Sequence, residues 1–305
     1  MDRRSVLAMT TTAGAALLAR DSIGSTHAAG LVTGANRHSY VCRNDSVALF
    51  CRDWGMGTPV VFVSSAGMTC DMWAYQVASL LPHGLRCIAF DRRGHGRSSD
   101  PGSGYDFDTL ADDLAAIVTT LDLQNVTLVG HSMGCAEITR YLTRHGTARV
   151  ARVAMLAPTM PFLLKTSDHP EGLDRRVFDA VRTQWLHDFP QWVADNTDPF
   201  FVPETSTAMK SWAAGLLLQT ALQAQIQCSI AAMETDFRQE LTRITVPALV
   251  LHGTKDVSAP LPLTGQRTAR LIPGCQLKVY DGAPHGLFIT HMQQVNADLL
   301  KFIQS

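Results

Sequence analysis

A five-residue stretch, Gly130-His131-Ser132-Met133-Gly134, constrains the fold of this chain more than any other feature. The β-branched, apolar segment 126–129 precedes it and is typical of a buried strand. Segment 135–142 follows it, with apolar residues at helical spacing. A glycine at each end lets the strand and the helix approach closely through a sharp turn. The sequence therefore predicts a strand, a tight turn with Ser132 at its apex, and a helix.

Strand-like runs and helical segments alternate over most of the chain. The runs lie at residues 39–43, 47–54, 59–63, 86–90, 126–129, 150–156, 246–251 and 277–280. The first two, joined by the turn pair Asn44-Asp45, predict an antiparallel hairpin at one sheet edge. Fully apolar runs separated by helices predict a mainly parallel, eight-stranded sheet in an α/β fold, with helices on both faces.

The alternation stops between residues 160 and 237, where the pattern is helical throughout and rich in Trp and Phe. This predicts a helical cap inserted after the sixth strand, over the carboxyl ends of the strands, where ligands bind in such sheets. We therefore divide the chain into an N-terminal segment 1–29, a core made of 30–159 and 238–305, and a cap at 160–237.

The N-terminal segment carries the pattern of a twin-arginine export signal. Arg3 and Arg4 precede a modest apolar stretch at residues 6–18, and small residues follow at 25–29. This predicts a periplasmic or secreted protein. A disordered basic start, which would leave the protein cytoplasmic, and a membrane tether are the alternatives. Because the apolar stretch is short and interrupted by threonines, we expect no stable membrane insertion.

Composition and motifs limit the partners of this chain. The formal net charge is −1 with no block of like charge, so neither nucleic acid nor an anionic membrane is expected as partner. The seven cysteines are scattered without a C-x-x-C pair, which indicates neither a zinc site nor a disulfide scaffold. Metal, nucleotide and flavin motifs are missing from the sequence, and we expect no cofactor and no metal. A homo-oligomer is left open.

Ser132 needs a base to take its proton, and the sequence offers one in the right place. In a strand–turn–helix context of this kind, the acid follows the strand after the cap and the histidine follows the last strand. Asp256 and His285 occupy these two loops. We predict Ser132 as nucleophile, His285 as general base and then acid, and Asp256 as the carboxylate that orients it. The backbone N–H groups of Ala66 and Met133 are the predicted oxyanion donors.

Other acids and histidines fit these roles less well. Asp281 is close to His285 in sequence but lies at a strand end, too near the backbone to orient it. We expect three other histidines to be structural. His131 lies in the turn that carries Ser132, and His95 and His252 lie beside glycines in turns.

Five stretches carry a resemblance to a known family: FDRRGHGRSS at 90–99, VGHSMG at 129–134, RHGTARV at 144–150, ETDFR at 234–238 and APHG at 283–286. The chain resembles the α/β-hydrolases, and among them the cofactor-free bacterial haloperoxidases, or perhydrolases. The resemblance implies the α/β-hydrolase fold and a Ser132–His285–Asp256 triad. It also implies that a carboxylic acid and peroxide give a peracid, which oxidises halide outside the site. That activity is often a side reaction of an esterase or lactonase.

The loop after the third strand departs from the family pattern. Relatives usually carry His-Gly where this chain has Ser64-Ser65, and a Trp or Phe where it has Ala66. We expect the smaller side chain to widen the acyl pocket, for which Met160 and Phe162 are further candidates. The resulting hypothesis is hydrolysis of a small-molecule carboxylic ester or lactone through an acyl-enzyme. Perhydrolysis and a non-catalytic ligand-binding role are the alternatives.

Overall fold

In the computed structural model, which describes residues 39–43 and 47–305, eight strands form one sheet in the order β1-β2-β4-β3-β5-β6-β7-β8. The strands are β1 (Tyr40–Cys42), β2 (Ala48–Trp54), β3 (Thr58–Val63), β4 (Leu85–Phe90), β5 (Val126–His131), β6 (Val150–Leu156), β7 (Ala248–Gly253) and β8 (Gln276–Tyr280). The pairs β1–β2 and β2–β4 are antiparallel, and every other pair is parallel. The predicted fold class is thus confirmed, whereas residues 1–29 and the turn Asn44-Asp45 lie outside the described residues.

Ten α-helices accompany these strands in the described part of the chain. They are α1 (Ala74–Leu80), α2 (Phe107–Thr120), α3 (Met133–His145), α4 (Arg175–Asp195), α5 (Thr207–Leu217), α6 (Leu222–Glu234), α7 (Arg238–Leu241), α8 (Gly265–Leu271), α9 (Leu287–Thr290) and α10 (Met292–Ile303). Helix α1 has a 3-10 turn on each side, Cys70–Trp73 and Leu81–His83.

The core lies on both faces of the sheet because its central strands alternate between two apolar layers. In β3, Val61 and Val63 point into one layer, and Val60 and Phe62 into the other. All four side chains are fully buried. Helices α2 and α3 cover the first layer, and α1 and α10 cover the second. Burial on both faces explains why these strands are continuously apolar.

Helices α4 to α6 lie between β6 and β7, where the cap was expected. The expectation of helix throughout the cap is wrong for residues 160–174, which form turns with short β-bridges. Pro161 and Pro170 cannot donate a backbone hydrogen bond, and Gly172 packs so closely that a Cβ there would meet Leu164 O at 2.6 Å. The exact domain limits stay a prediction.

Strand β7 runs two residues further than predicted. The run 246–251 contains Pro247, which has no N–H for the sheet, and the strand begins only at Ala248. His252 and Gly253 are its last two residues, so His252 lies in a strand and not in a turn. None of the described helices is long and apolar enough to cross a bilayer.

Candidate active site

The turn at Ser132 is a strained connection between β5 and α3. Ser132 has φ 55° and ψ −120°, a backbone conformation that side chains rarely adopt. The flanking glycines make it possible: a Cβ on Gly134 would lie 2.4 Å from Val63 O, and one on Gly130 would lie 2.9 Å from Cys135 N. The structure therefore has the strand–turn–helix elbow that the sequence predicts, with the hydroxyl displayed at its apex.

The three predicted triad residues lie within hydrogen-bonding distance of one another. His285 Nε2 is 3.0 Å from Ser132 Oγ, and His285 Nδ1 is 2.7 Å from Asp256 Oδ2. Asp256 follows β7 and His285 follows β8, so parallel strands bring them to the same edge of the sheet as Ser132. All three are at least 95% buried. The geometry suits proton transfer from the serine hydroxyl to the imidazole.

Asp256 is held in place from two sides. Its Oδ1 accepts a hydrogen bond from the Ala259 N–H at 2.7 Å, and its Oδ2 faces His252 Nε2 at 3.3 Å as well as His285. Burial raises the pKa of this carboxyl, but the charge of His285 and the hydrogen bonds outweigh it and hold the pKa well below its ordinary value. Asp256 is therefore a carboxylate at neutral pH, as the orienting role requires.

His131 contacts both the backbone and the ring of His285. Its Nε2–H donates to the backbone carbonyl of His285 at 2.9 Å, and the two rings lie 4.8 Å apart. Burial, and then the charge of His285, lowers the pKa of His131 to about 3. The expectation that His131 packs structurally agrees with these contacts.

Phe200 is a neighbour of the triad that sequence reasoning did not select. Its ring lies 5.6 Å from that of His285, and its carbonyl accepts the Gly286 N–H at 3.0 Å. A Cβ on Gly286 would meet Phe200 O at 2.4 Å. The cap thus contacts the histidine loop directly, through the 3-10 turn Asp198–Phe200.

The predicted oxyanion donors lie on two adjacent pieces of backbone. Ala66 is in a turn closed by a 3.3 Å hydrogen bond from Met68 N–H to Ser65 O, with Gly67 at φ 74°. Met133 is the first residue of α3, so its N–H has no acceptor within the helix. Contact of Gly134 with the carbonyls of Val63 and Ser64 places this loop against the start of α3. That arrangement is the one an oxyanion hole uses in this kind of fold.

Three hydrogen bonds attach a short cap segment, residues 219–221, to the turn that carries Ala66 and to the loop after β4. The Gly96 N–H donates to Gln219 O at 3.1 Å, and the Ala221 N–H donates to Gly94 O at 2.9 Å. The Thr220 hydroxyl donates to Gly67 O at 2.5 Å. The cap is therefore fixed to the core at this point, which we call the cap anchor.

The remaining candidates have other contacts. Met160 is buried in the core, where its carbonyl accepts a hydrogen bond from Thr268. Phe162 packs its ring against His169 and Arg238. Their assignment to the acyl pocket stays a prediction. The rival acid Asp281 accepts a hydrogen bond from Thr254. The described residues hold no group of three or more His, Cys, Asp or Glu side chains that could bind a metal.

Comparison with known proteins agrees with this fold. Residues 58–292 match the family model described as the alpha/beta hydrolase fold. A non-heme chloroperoxidase of Kitasatospora aureofaciens is 38% identical over 266 residues, covering 85% of this chain and 97% of the relative. A bifunctional esterase/perhydrolase of Acinetobacter calcoaceticus is 35% identical over 282 residues, covering 87% and 99%. The solved structure of an esterase from Exiguobacterium antarcticum superposes with a TM-score of 0.85 at 30% identity, covering 88% and 99%.

Proposed function

The chain belongs to the α/β-hydrolase family, and from this premise we propose that it is a serine hydrolase of carboxylic esters or lactones. The observation that carries the proposal is the pair of contacts at the elbow, Ser132 Oγ to His285 Nε2 and His285 Nδ1 to Asp256 Oδ2. An alcohol becomes a useful nucleophile only beside such a base.

The reaction follows from these contacts in two steps. His285 takes the proton of Ser132 as Oγ attacks the ester carbonyl, and the N–H groups of Ala66 and Met133 stabilise the oxyanion. The imidazolium then returns its proton to the leaving alcohol, which gives the acyl-enzyme. In the second step His285 activates a water molecule, which releases the acid and regenerates the free hydroxyl.

The test is hydrolysis of p-nitrophenyl esters of increasing acyl length, together with a small panel of lactones. Ser132→Ala should reduce kcat by several orders of magnitude while leaving the fold intact by circular dichroism. A variant with full activity would overturn the proposal. A fluorophosphonate probe should label the protein at Ser132; failure to label would favour the remaining class, a non-catalytic ligand-binding protein on the same fold.

Perhydrolysis is a second candidate reaction for the same acyl-enzyme. It is supported by the similarity to a non-heme chloroperoxidase and to a bifunctional esterase/perhydrolase. Peroxide would replace water as the acyl acceptor, and the product would be a peracid. Acetate and hydrogen peroxide, with bromide and a halogen acceptor dye, give the readout. Halogenation that depends on both acetate and Ser132 would support this reaction, and its absence would leave hydrolysis alone.

We also propose that the protein is exported through its twin-arginine segment, residues 1–29. The support is the pair Arg3-Arg4 ahead of a short apolar stretch and small residues. The test is cell fractionation of the full chain in a bacterium with and without the twin-arginine pathway. Accumulation in the cytoplasm on replacing both arginines by lysine supports export, and an unchanged distribution contradicts it.

A further inference from the structure

A buried arginine holds the carbonyl end of the peptide group that carries the predicted oxyanion donor. Arg92, in the loop after β4, is only 2% exposed. Its Nη1 donates to Ser65 O at 3.1 Å, and its Nη2 donates to Ser64 O at 2.8 Å. The Ser65 carbonyl and the Ala66 N–H belong to the same peptide unit. Arg92 therefore bonds the carbonyl of the same peptide group whose N–H is the predicted oxyanion donor.

Because that peptide is planar, the contact at Ser65 O also determines the direction of the Ala66 N–H. In a trans peptide the C=O and the N–H point to opposite sides. Fixing Ser65 O on the guanidinium makes the Ala66 N–H point away from Arg92. The positive charge also polarises the peptide, which strengthens the N–H as a donor.

A buried histidine holds the next peptide in the same way from its other end. His95 Nε2 accepts the Gly67 N–H at 3.2 Å, while Nδ1 lies 2.9 Å from Arg93 O and donates to it. Nε2 also faces Arg92 Nη1 at 3.3 Å, so two donors require it to be unprotonated. Burial, and then the charge of Arg92, lowers the pKa of His95 to about 3, which keeps the ring neutral. Both peptides around Ala66 are thus fixed.

The guanidinium connects this turn to the other oxyanion donor as well. Arg92 Nε donates to Glu137 Oε1 at 2.7 Å, and Glu137 is 1% exposed on α3. Helix α3 begins with Met133, whose N–H is the second predicted donor. One buried ion pair therefore joins the two pieces of backbone that must keep a fixed spacing around the oxyanion.

We propose that Arg92 and His95 are positioning residues of the oxyanion hole, which aim the Ala66 N–H at the developing oxyanion. The inference rests on the proposed function, because an oxyanion forms only if Ser132 attacks an acyl group. All the contacts that Arg92 and His95 make to the turn go to backbone atoms of Ser64, Ser65 and Gly67. The turn keeps its donor direction even though the side chains at 64–66 differ from the family pattern.

The neighbouring arginine provides a matched control. Arg93 is 3% exposed and pairs with the buried Asp113, Nε to Oδ2 at 2.6 Å. Arg92→Lys and Arg93→Lys each shorten a buried, ion-paired arginine in the same loop. Both variants should lose stability, because each weakens a buried ion pair. Only Arg92→Lys should also lose transition-state binding, because only Arg92 bonds the carbonyls of Ser64 and Ser65.

The measurements are kcat and KM on p-nitrophenyl acetate and the Ki of a trifluoromethyl ketone, whose serine adduct carries an oxyanion. Arg92→Lys should reduce kcat about tenfold to a hundredfold, with KM within about twofold of wild type, and Ki should rise in proportion. Arg93→Lys should lower Tm with kcat and Ki close to wild type. A folded Arg92→Lys protein with wild-type kcat and Ki overturns the inference.

A second pair of variants decides the matter if Arg92→Lys does not fold. His95→Gln places an oxygen acceptor near the position of Nε2, whereas His95→Leu leaves the Gly67 N–H without an acceptor. His95→Gln should retain more kcat and tighter ketone binding than His95→Leu at comparable Tm. Equal, wild-type values in both overturn the inference. Activity surviving in Ser132→Ala would instead overturn the proposed function, so the two failures are distinguishable.

Discussion

His252 Nε2 lies 3.3 Å from Asp256 Oδ2, the same oxygen that accepts the hydrogen bond from His285. Because Oδ1 is engaged by the Ala259 N–H, both oxygens are held and the carboxylate cannot rotate freely. His252 is itself fixed by donating to Ala259 O at 2.7 Å. The end of β7 thus determines the orientation of the triad acid before any substrate binds.

Replacing His252 should weaken catalysis without abolishing it. We expect His252→Phe to lower kcat by up to about tenfold, because it removes the N–H that bonds Ala259 O and faces Asp256 Oδ2, with little change in KM. Steady-state kinetics on p-nitrophenyl acetate measures this. His291→Phe, which changes a histidine bonded to Thr290, is the control and should stay near wild type. Equal kcat in the two variants would mean that His252 does not hold Asp256.

The buried neutral His131 should make stability depend on pH. Its pKa is about 3 in the folded protein, whereas a histidine in an unfolded chain titrates near pH 6.5. Between these values only the unfolded chain binds the proton, so the free energy of unfolding falls as pH falls, by about 1.4 kcal/mol per pH unit for this residue. Above about pH 6.5 His131 is unprotonated in both the folded and the unfolded state, so it no longer makes the free energy of unfolding depend on pH.

Urea unfolding of wild type and His131→Gln at pH 5, 6 and 7.5 measures this dependence. Below about pH 6.5, the slope of the free energy of unfolding against pH should be smaller in the variant by the equivalent of about one proton. His95 is also buried with a pKa of about 3 and has the same sign, so part of the slope persists. His187→Gln at an exposed cap position controls for the substitution. Parallel curves for wild type and His131→Gln would contradict the assignment.

The elbow glycine Gly134 should not tolerate a methyl group. A Cβ there would meet two backbone oxygens, Val63 O at 2.4 Å and Ser64 O at 2.8 Å, and neither can move without disturbing β3. Gly134→Ala should lower the free energy of unfolding by about 3 kcal/mol. Gly215→Ala in α5 meets nothing within 4 Å and should raise it by about 0.5–1 kcal/mol. Chemical denaturation compares the two; a neutral Gly134→Ala would show that the loop and the helix are less closely packed.

Ala66 should control the acyl length that the site accepts. Ala66→Trp keeps the backbone donor but adds a large side chain to the turn that carries it, so the ratio of kcat/KM for hexanoate over acetate esters should fall about tenfold. Ala66→Ser changes the size little and should leave the ratio near wild type. The p-nitrophenyl ester series measures both. An unchanged ratio in the tryptophan variant would place the acyl chain elsewhere.

The sequence predicts the sheet and the proximity of Ser132, His285 and Asp256, because both depend on local patterns. Strands buried on both faces are continuously apolar, and a loop after a parallel strand lies at a known edge of the sheet. Elements whose form depends on distant contacts could not be predicted. Nothing near Phe200 indicates that its carbonyl binds the histidine loop, and the pairing of Arg92 with Glu137 joins residues 45 positions apart. The sequence predicts a structural role for His95, whereas its contact with the turn at Gly67 depends on the folded chain.

The cap anchor has a consequence for how a protein of this kind can change its substrate. Two of its three hydrogen bonds run between backbone atoms, from Gly96 to Gln219 and from Ala221 to Gly94. Only Thr220 contributes a side chain. Mutations in the cap can therefore alter the surface that faces the substrate while its attachment to the core persists. Side chains of the cap can thus change while the backbone bonds that join it to the loops around the triad are kept.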